Sequence, residues 1–292
     1  MILKKKKSSL KQAKKPFTFF RPLVLTRHPS HAPLRKQLQL CKGRSVVRLG
    51  STTVLNHGKV RTEVNSVQGI KNSASKLLMK QCFTNAGVKT ARWFVKYDSI
   101  GGRGWIEKGI ALGEADRGIS DLPFPIIAKS HFGSRGVGNT KLDNQQALQS
   151  WIQGKTLSNY IFEKFQPLGR EYRLHISKFG CFYACRKLLK SDAPENTWQY
   201  HDDVVTWALE SNPSFKKPNN WDDIVADCVK AQQALELDIC AFDVIVSLPN
   251  KKGDVDWLIV ESASAPSFGD ITLQKYLIEI PKIINSKNGR TS

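Results

Sequence analysis

The spacing of hydrophobic and polar residues changes several times along the chain, and each change marks an element. Val46, Val47 and Leu49 make a short β-type run over 45–49, closed by Gly50-Ser51-Thr52-Thr53. From Ser73 onward Leu77, Leu78, Cys82, Phe83 and Ala86 recur at helical spacing, which predicts a helix with that face buried and Gly87 as its C-cap. Residues 91–97 read as a strand, 98–120 as a glycine-rich loop with short helical pieces, and 124–129 as an apolar strand ending on Lys129. After a second glycine-rich stretch, Asp143 and Gln146 form a capping-box pattern for a helix whose apolar face is Ala147, Leu148, Trp151 and Ile152. Strands are predicted at 160–165, 172–177 and 181–189, the last two as a hairpin around Phe179-Gly180. The polar stretch 192–218, with Trp198 and Trp207, predicts no element. Trp221, Ile224, Val225, Cys228 and Leu235 mark a helix, and 239–246 and 257–263 two strands across a turn. Leu273, Leu277, Ile280 and Ile284 mark a final helix with a kink expected at Pro281. Strands, hairpins and helices interleave without an internal repeat, so the fold class is α+β, or mixed α/β.

Charge redraws the N-terminal part of this picture. Residues 1–62 hold 16 Lys and Arg and no acid, whereas 63–292 hold 29 basic and 25 acidic residues. The net charge of +20 therefore belongs to the N-terminal end, and the body is nearly balanced. With Pro16, Pro22, Pro29 and Pro33 and no sustained periodicity, residues 1–44 are expected to be a basic flexible arm. Such an arm suits weak contact with a nucleic-acid backbone or an anionic surface, or a targeting role. No apolar run approaches the roughly 20 residues that a transmembrane helix needs. Six cysteines occur without a CxxC or a His cluster, which is poor zinc spacing and predicts reduced, mostly buried thiols in a cytoplasmic compartment.

Two constellations carry candidate chemistry. The strand ending on Lys129 runs into His131-Phe-Gly-Ser-Arg-Gly-Val-Gly138. Glycines let backbone N–H groups approach a phosphate and the lysine adds a point charge. The spacing fits neither a P-loop nor a dinucleotide fingerprint, and read alone the stretch is equally compatible with an ordinary turn. The second constellation is Asp243 inside Ala241-Phe-Asp-Val-Ile-Val246 and Glu261 at the end of Trp257-Leu-Ile-Val-Glu261. Acids in such apolar strands need a partner, either a divalent cation between them or a Lys or Arg for each.

In this order the segments resemble the ATP-grasp superfamily. Ser75-Lys76-Leu77-Leu78 with Asn85-Ala-Gly-Val-Lys-Thr90 resembles its helix and AGV-x-T turn, and Pro125–Lys129 with His131–Gly138 its strand lysine and glycine lid. Ile161-Phe-Glu-Lys-Phe165 with Gly169-Arg-Glu-Tyr-Arg173 resembles its adenine hinge, and Asp243 with Val260-Glu-Ser-Ala-Ser-Ala-Pro266 its metal-binding strands. The nearest flavour is a phage-type group related to ribosomal-protein glutamate ligases and glutathione synthetases. The resemblance covers roughly 45–285. It implies a small N-terminal domain at 45–90, a lid subdomain at 91–168 and a C-terminal catalytic subdomain at 169–292, the last two enclosing Mg²⁺ and ATP.

The resemblance also implies roles. Lys129 would bridge the nucleotide phosphates under Ser134, Arg135, Gly136, Val137 and Gly138. Glu163, Lys164 and Phe165 would line the adenine, largely through backbone groups, and Glu171 would accept the ribose hydroxyls. Arg173 and Lys187 would be catalytic, and Asp243 and Glu261 would hold Mg²⁺. Strand alternation allows only one of Arg186 and Lys187 to reach the cleft, and Lys187 is preferred. The family's Glu-x-Asn metal pattern here reads Glu261-Ser262-Ala263, without the amide oxygen. The implied activity is an ADP-forming carboxylate–amine ligase working through an acyl-phosphate, in the cytoplasm of a phage-infected host cell if the phage-type likeness extends that far. Its partners would be a small-molecule or peptide carboxylate and amine. The alternative is a catalytically weak ATP-binding protein recruited to nucleic acid or a protein by the arm. Outright nucleic-acid binding fits poorly with the near-neutral body and the lack of a recognition motif.

Overall fold

A computed structural model describes residues 22–26, 28–38, 45–55, 62–99, 102–109, 115–133, 136, 138–167, 169–194, 197–198 and 204–289. Three sheets organise them. Strands β1 (Leu23–Thr26), β2 (Ser45–Leu49) and β3 (Thr62–Val64) pair in parallel in the order β1-β2-β3. Next come helices α1 (Ala32–Gln37), α2 (Val67–Ala74) and α3 (Lys76–Ala86). The second sheet holds β4 (Trp93–Ser99), β5 (Gly102–Lys108), β6 (Arg117–Ile119), β7 (Ile126–Ser130), β8 (Thr140–Leu142) and β9 (Tyr160–Lys164), ordered β6-β5-β4-β9-β7-β8, with α4 (Gln145–Trp151) against it. The third holds β10 (Arg170–Ser177), β11 (Gly180–Leu189), β12 (Val205–Leu209), β13 (Ile239–Val246) and β14 (Trp257–Ala263), ordered β12-β11-β10-β13-β14. Helices α5 (Trp221–Ala234) and α6 (Asp270–Lys287) complete the fold.

The strands show why alternation predicts faces. On β10, Tyr172, Leu174 and Ile176 enter a core with Ile224, Cys228 and Ala231 of α5, which leaves Arg173 on the opposite face. Several expectations need correction. Residues 22–38 are not part of an arm: β1 pairs with β2, and Val24, Leu34 and Leu38 share a core with Leu273, Tyr276 and Ile280 of α6. The apolar residues involved are too few and too close to prolines to show a period in the sequence. Residues 1–21 lie outside the described residues. The described residues of 98–120 supply β5 and β6, where helical pieces were expected, because pairing of β5 with β4 and of β6 with β5 overrides the glycines. Helix α4 is capped by Asn144, whose side chain accepts from the Ala147 N–H, and not by Asp143. The last helix forms as expected, with Pro281 inside it.

Helix α3 buries only part of the face that the periodicity predicts: Phe83 is in the core and Cys82 and Ala86 pack against it, but the leucines stay outside it. Ser75 caps it and Gly87, in the left-handed conformation, ends it. Its buried residues, however, are Lys76, Met79, Lys80 and Phe83, while Leu78 is exposed. Met79 and Phe83 join the core of the third sheet together with Ile70 of α2. The 67–86 helices therefore pack with the C-terminal sheet, although they lie in the 45–90 segment. Among the described cysteines Cys82, Cys181, Cys185, Cys228 and Cys240 are free, and burial pushes the thiols of the last three up.

The N-terminal segment is docked beside the loop that follows β14. His31 Nε2 lies 2.7 Å from the Pro266 carbonyl oxygen, and the Phe268 N–H donates to Ser30 Oγ at 3.0 Å. Gly50, at φ +76°, closes the same contact: a Cβ there would meet the Ala265 Cβ at 2.8 Å. Replacing Leu34 by Ala is expected to cost about 2–5 kcal/mol, read as a lowered midpoint in urea. A variant that unfolds with the wild type would return residues 22–38 to the arm.

Acid should loosen the same region. Burial lowers the His31 imidazole to about 4, against its bond to Pro266 and with small contributions from His28 and Arg35. Burial likewise lowers His175, which lies 3.1 Å from the Tyr276 hydroxyl, to about 3. The unfolded chain binds protons at both histidines near pH 6.5, so stability is present above that pH and is lost as pH falls toward 4. Melting temperature measured from pH 7.5 to 4.5 should drop, and His31→Gln should flatten the slope. A slope unchanged in the variant would remove His31 from the effect.

Candidate active site

The site is built from side chains of the second and third sheets and of helix α3. Lys129 leaves β7, and Glu163 leaves β9 opposite Ile127, so both side chains share one face. Lys129 Nζ donates to Glu163 Oε2 at 2.8 Å. From α3, Lys80 Nζ approaches Glu163 Oε1 at 3.3 Å and donates to Thr90 Oγ1. All three residues are buried, at 8%, 2% and 0% exposure for Lys129, Glu163 and Lys80. Burial lowers the Lys80 ammonium to about 8 despite Glu163 beside it. Burial opposes ionisation of Glu163, but Lys129 and Lys80 hold its carboxyl below the usual range. Two ammonium groups around one carboxylate leave positive charge in excess, which an added anion would balance and which otherwise makes Lys80 the easier of the two to deprotonate.

The expected lid begins at the same place. Lys76 donates its backbone N–H to the His131 carbonyl at 2.8 Å. Its Nζ donates to the Gly133 carbonyl at 2.6 Å and to Glu261 Oε1 at 3.0 Å. Gly136 and Gly138 have φ of +73° and +81°, in the left-handed region that favours glycine. Ser134, Arg135 and Val137 lie outside the described residues. At the hinge, the Lys164 N–H donates to the Arg92 carbonyl and the Phe165 N–H to the Pro125 carbonyl. Those two donors are committed to the sheet and are unavailable to an adenine. The Lys164 ammonium is committed too, to the carbonyls of Pro123 and Phe124 at 2.9 and 2.8 Å. The Phe165 ring lies under Lys141, 4.9 Å from its Nζ, and meets Trp198 edge-on at 6.4 Å.

Across the third sheet runs a strip of charge. Arg173 grips Asp243 with two bonds, 2.7 Å to Oδ1 and 2.8 Å to Oδ2. Lys187 donates to Asp243 Oδ2 at 3.0 Å and to Glu171 Oε1. Lys187, and not Arg186, belongs to this face; Arg186 donates to the Ser214 carbonyl. Burial raises the Glu171 carboxyl to about 7, against Lys187 and with the Asp243 charge adding to the rise. Burial works against ionised Asp243 too, but Arg173 and Lys187 hold it well below the carboxylate range. The same two acids raise Lys187 despite its burial. Glu171 thus faces Lys187 within the strip, and its expected ribose role would require that pair to open.

Lys76 and Lys80 were not marked as site residues by the sequence, because polar residues on a helix read as its solvent face. The available signal was their spacing of four, which places both on the stripe of Met79 and Phe83.

The expected Mg²⁺ site does not fit the donors present. Asp243 and Glu261 do stand opposite each other on β13 and β14. Asp243 is nevertheless bonded to Arg173 and Lys187, Glu261 to Lys76, and position 263 is alanine. Among the described residues no three His, Cys, Asp or Glu converge. Two carboxylates already neutralised by ammonium and guanidinium groups do not make a protein-built Mg²⁺ cage.

This architecture, two sheets with a lysine-bearing glycine loop on one and an arginine–carboxylate strip on the other, is the ATP-grasp fold. A D-alanine–D-alanine ligase from Bacillus anthracis is similar with a TM-score of 0.53 at 14% identity, over 79% of this chain and 74% of that one. An N5-carboxyaminoimidazole synthetase from Staphylococcus aureus, solved with ADP, gives 0.53 at 15% identity over 79% and 56%. A carboxyaminoimidazole ribonucleotide synthase from Aspergillus clavatus, solved with ATP, gives 0.57 at 13% identity over 86% and 62%. The chain thus spans less than two thirds of the length of the last two. No protein-family model and no curated protein sequence matches it. Among the described residues, no helix is long and apolar enough to cross a membrane.

Proposed function

We propose that the chain is an ATP-dependent carboxylate–amine ligase that forms an acyl-phosphate and releases ADP and phosphate. The observation that carries this reading is the buried excess of positive charge at Glu163, Lys80 and Lys129, the last on the strand that runs into the glycine loop. Lys129 and Lys80 receive the anionic phosphates of ATP, and Lys76 supplies a third ammonium at the base of the loop. Gly136 and Gly138 let the loop backbone come close to those phosphates. On the third sheet, Arg173 and Lys187 stabilise the negative charge that grows as the acyl-phosphate and its tetrahedral successor form. Asp243 holds the Arg173 guanidinium in a fixed plane by its two bonds. Similar folds in an ATP-bound synthase and in a D-alanine–D-alanine ligase support nucleotide binding and ligation as the general chemistry.

The test of the nucleotide site is calorimetry with an unhydrolysable ATP analogue. Lys129→Ala is expected to weaken binding by about 1.5–3 kcal/mol, the size of a charge-assisted hydrogen bond. No heat from the wild-type protein at millimolar analogue would end the reading. The test of chemistry is the product formed from ATP with amino-acid and peptide mixtures: ADP together with a mass gain on one component.

A second reading has its own support. The two acids at the expected metal position are occupied by basic partners, and Ala263 lacks an oxygen. A catalytically weak ATP-binding protein, recruited to nucleic acid or a protein by its basic N-terminal residues, accounts for that. Nucleotide binding without ADP formation in any mixture would favour it.

A further inference from the structure

A tryptophan, Trp207, stands at the edge of the charged strip. Strand β12 is the outer strand of the third sheet among the described residues. On it Trp207 stands directly across from Lys187, which stands across from Glu171. Its ring centroid is 5.0 Å from Arg173 Cζ and 5.7 Å from Lys187 Nζ. The two cations keep only 16% and 5% of their side-chain surface exposed, yet Trp207 keeps 37%. A scattered surface tryptophan would need no explanation. This one is the part of a buried, bonded cluster that faces outward. Trp198, nine residues earlier in the chain, packs edge-on against Phe165.

We propose that Trp207 forms the wall of the subsite for the carboxylate substrate, and that this substrate is an acid bearing a ring or another flat apolar group. Its carboxylate lies toward Arg173 and Lys187, and its flat body lies on the exposed part of the indole. The inference rests on the ligase reading. A carboxylate next to guanidinium and ammonium makes the strongest hydrogen bonds available in the site. An indole offers a broad, rigid apolar surface that rewards a flat partner over a small one. Glu171 sits across from Lys187 and accepts from its ammonium, so the charges of the strip are paired before a substrate arrives.

The test uses the full chain labelled with 5-fluorotryptophan, so that its seven tryptophans are read by fluorine NMR. Spectra of Trp207→Phe and Trp198→Phe assign the two resonances. Phenylacetate and acetate are then titrated separately, each with an unhydrolysable ATP analogue present. The expected result is a saturating shift of the Trp207 resonance by phenylacetate, and by acetate only at concentrations about tenfold higher, the value of one aromatic pair. A Trp207 resonance unmoved by phenylacetate, or moved equally by both acids, overturns the proposal. The nucleotide site reports independently: the analogue alone should move the Trp198 resonance beside Phe165. If Trp198 stays still the ligase reading fails, and if only Trp207 stays still the acid subsite fails.

Discussion

Glu163→Gln is expected to remove about 3–5 kcal/mol of stability, the cost of breaking a buried ion pair from one side. Lys80 and Lys129 would then face each other's charge with only a neutral amide between them, and neither can reach water: their side chains are 0% and 10% exposed. Lys80 is the weak point, because burial already brings its ammonium to about 8 with the carboxylate present. Without the carboxylate that ammonium is lowered further, so the folded variant holds the proton at a cost or gives it up. Stability of the variant should therefore rise between pH 7 and 9, since the unfolded chain binds more protons there than the folded one. An ATP analogue should restore part of the loss, as its phosphates replace the missing anion, so its melting shift should be larger in the variant than in wild type. A variant that melts with the wild type would show that the two ammonium groups are not held together around Glu163.

Arg173→Ala should lower turnover about 10²–10³-fold once a substrate pair is found, with a smaller change in the apparent affinity for ATP. The guanidinium lies on a different sheet from Lys129, and in the proposed reaction it meets charge that develops later. Removing it leaves Asp243 bonded to Lys187, which limits the structural damage and lets the kinetic effect be read. Arg173→Lys should not restore the rate. A lysine is a point charge and cannot reproduce the two parallel bonds to Asp243 Oδ1 and Oδ2 that fix the donor plane. ADP formation at saturating ATP, followed over a series of acceptor concentrations, separates the two effects. Wild-type turnover in the alanine variant would take Arg173 out of the reaction.

Strand alternation was legible from the residues. Tyr172, Leu174 and Ile176 are apolar and Arg173 and Glu171 are not, so the cleft face of β10 could be read before any coordinates. The same logic separated Lys187 from Arg186 on β11. The order of lysine strand, glycine loop, hinge and acidic strands pointed to the ATP-grasp fold, because each segment is a local pattern.

Partners across the fold were not legible. Asp243 and Glu261 have the same local sequence character whether a cation or a lysine stands beside them. Only tertiary structure brings Lys76, 185 residues away, to Glu261, and Arg173 and Lys187 to Asp243. Helix α3 makes the same point, since Leu77 and Leu78 promised a buried face, yet the helix turns Lys76 and Lys80 inward because Glu261 and Glu163 wait there. Residues 22–38 looked like part of a charged arm because a short segment can bury Val24 and Leu34 only against α6, some 240 residues later. Local period and alternation thus determined which residues face a sheet's two sides; which charge meets which carboxylate was decided by packing, because an ion pair depends on distance in space and carries no mark in the chain.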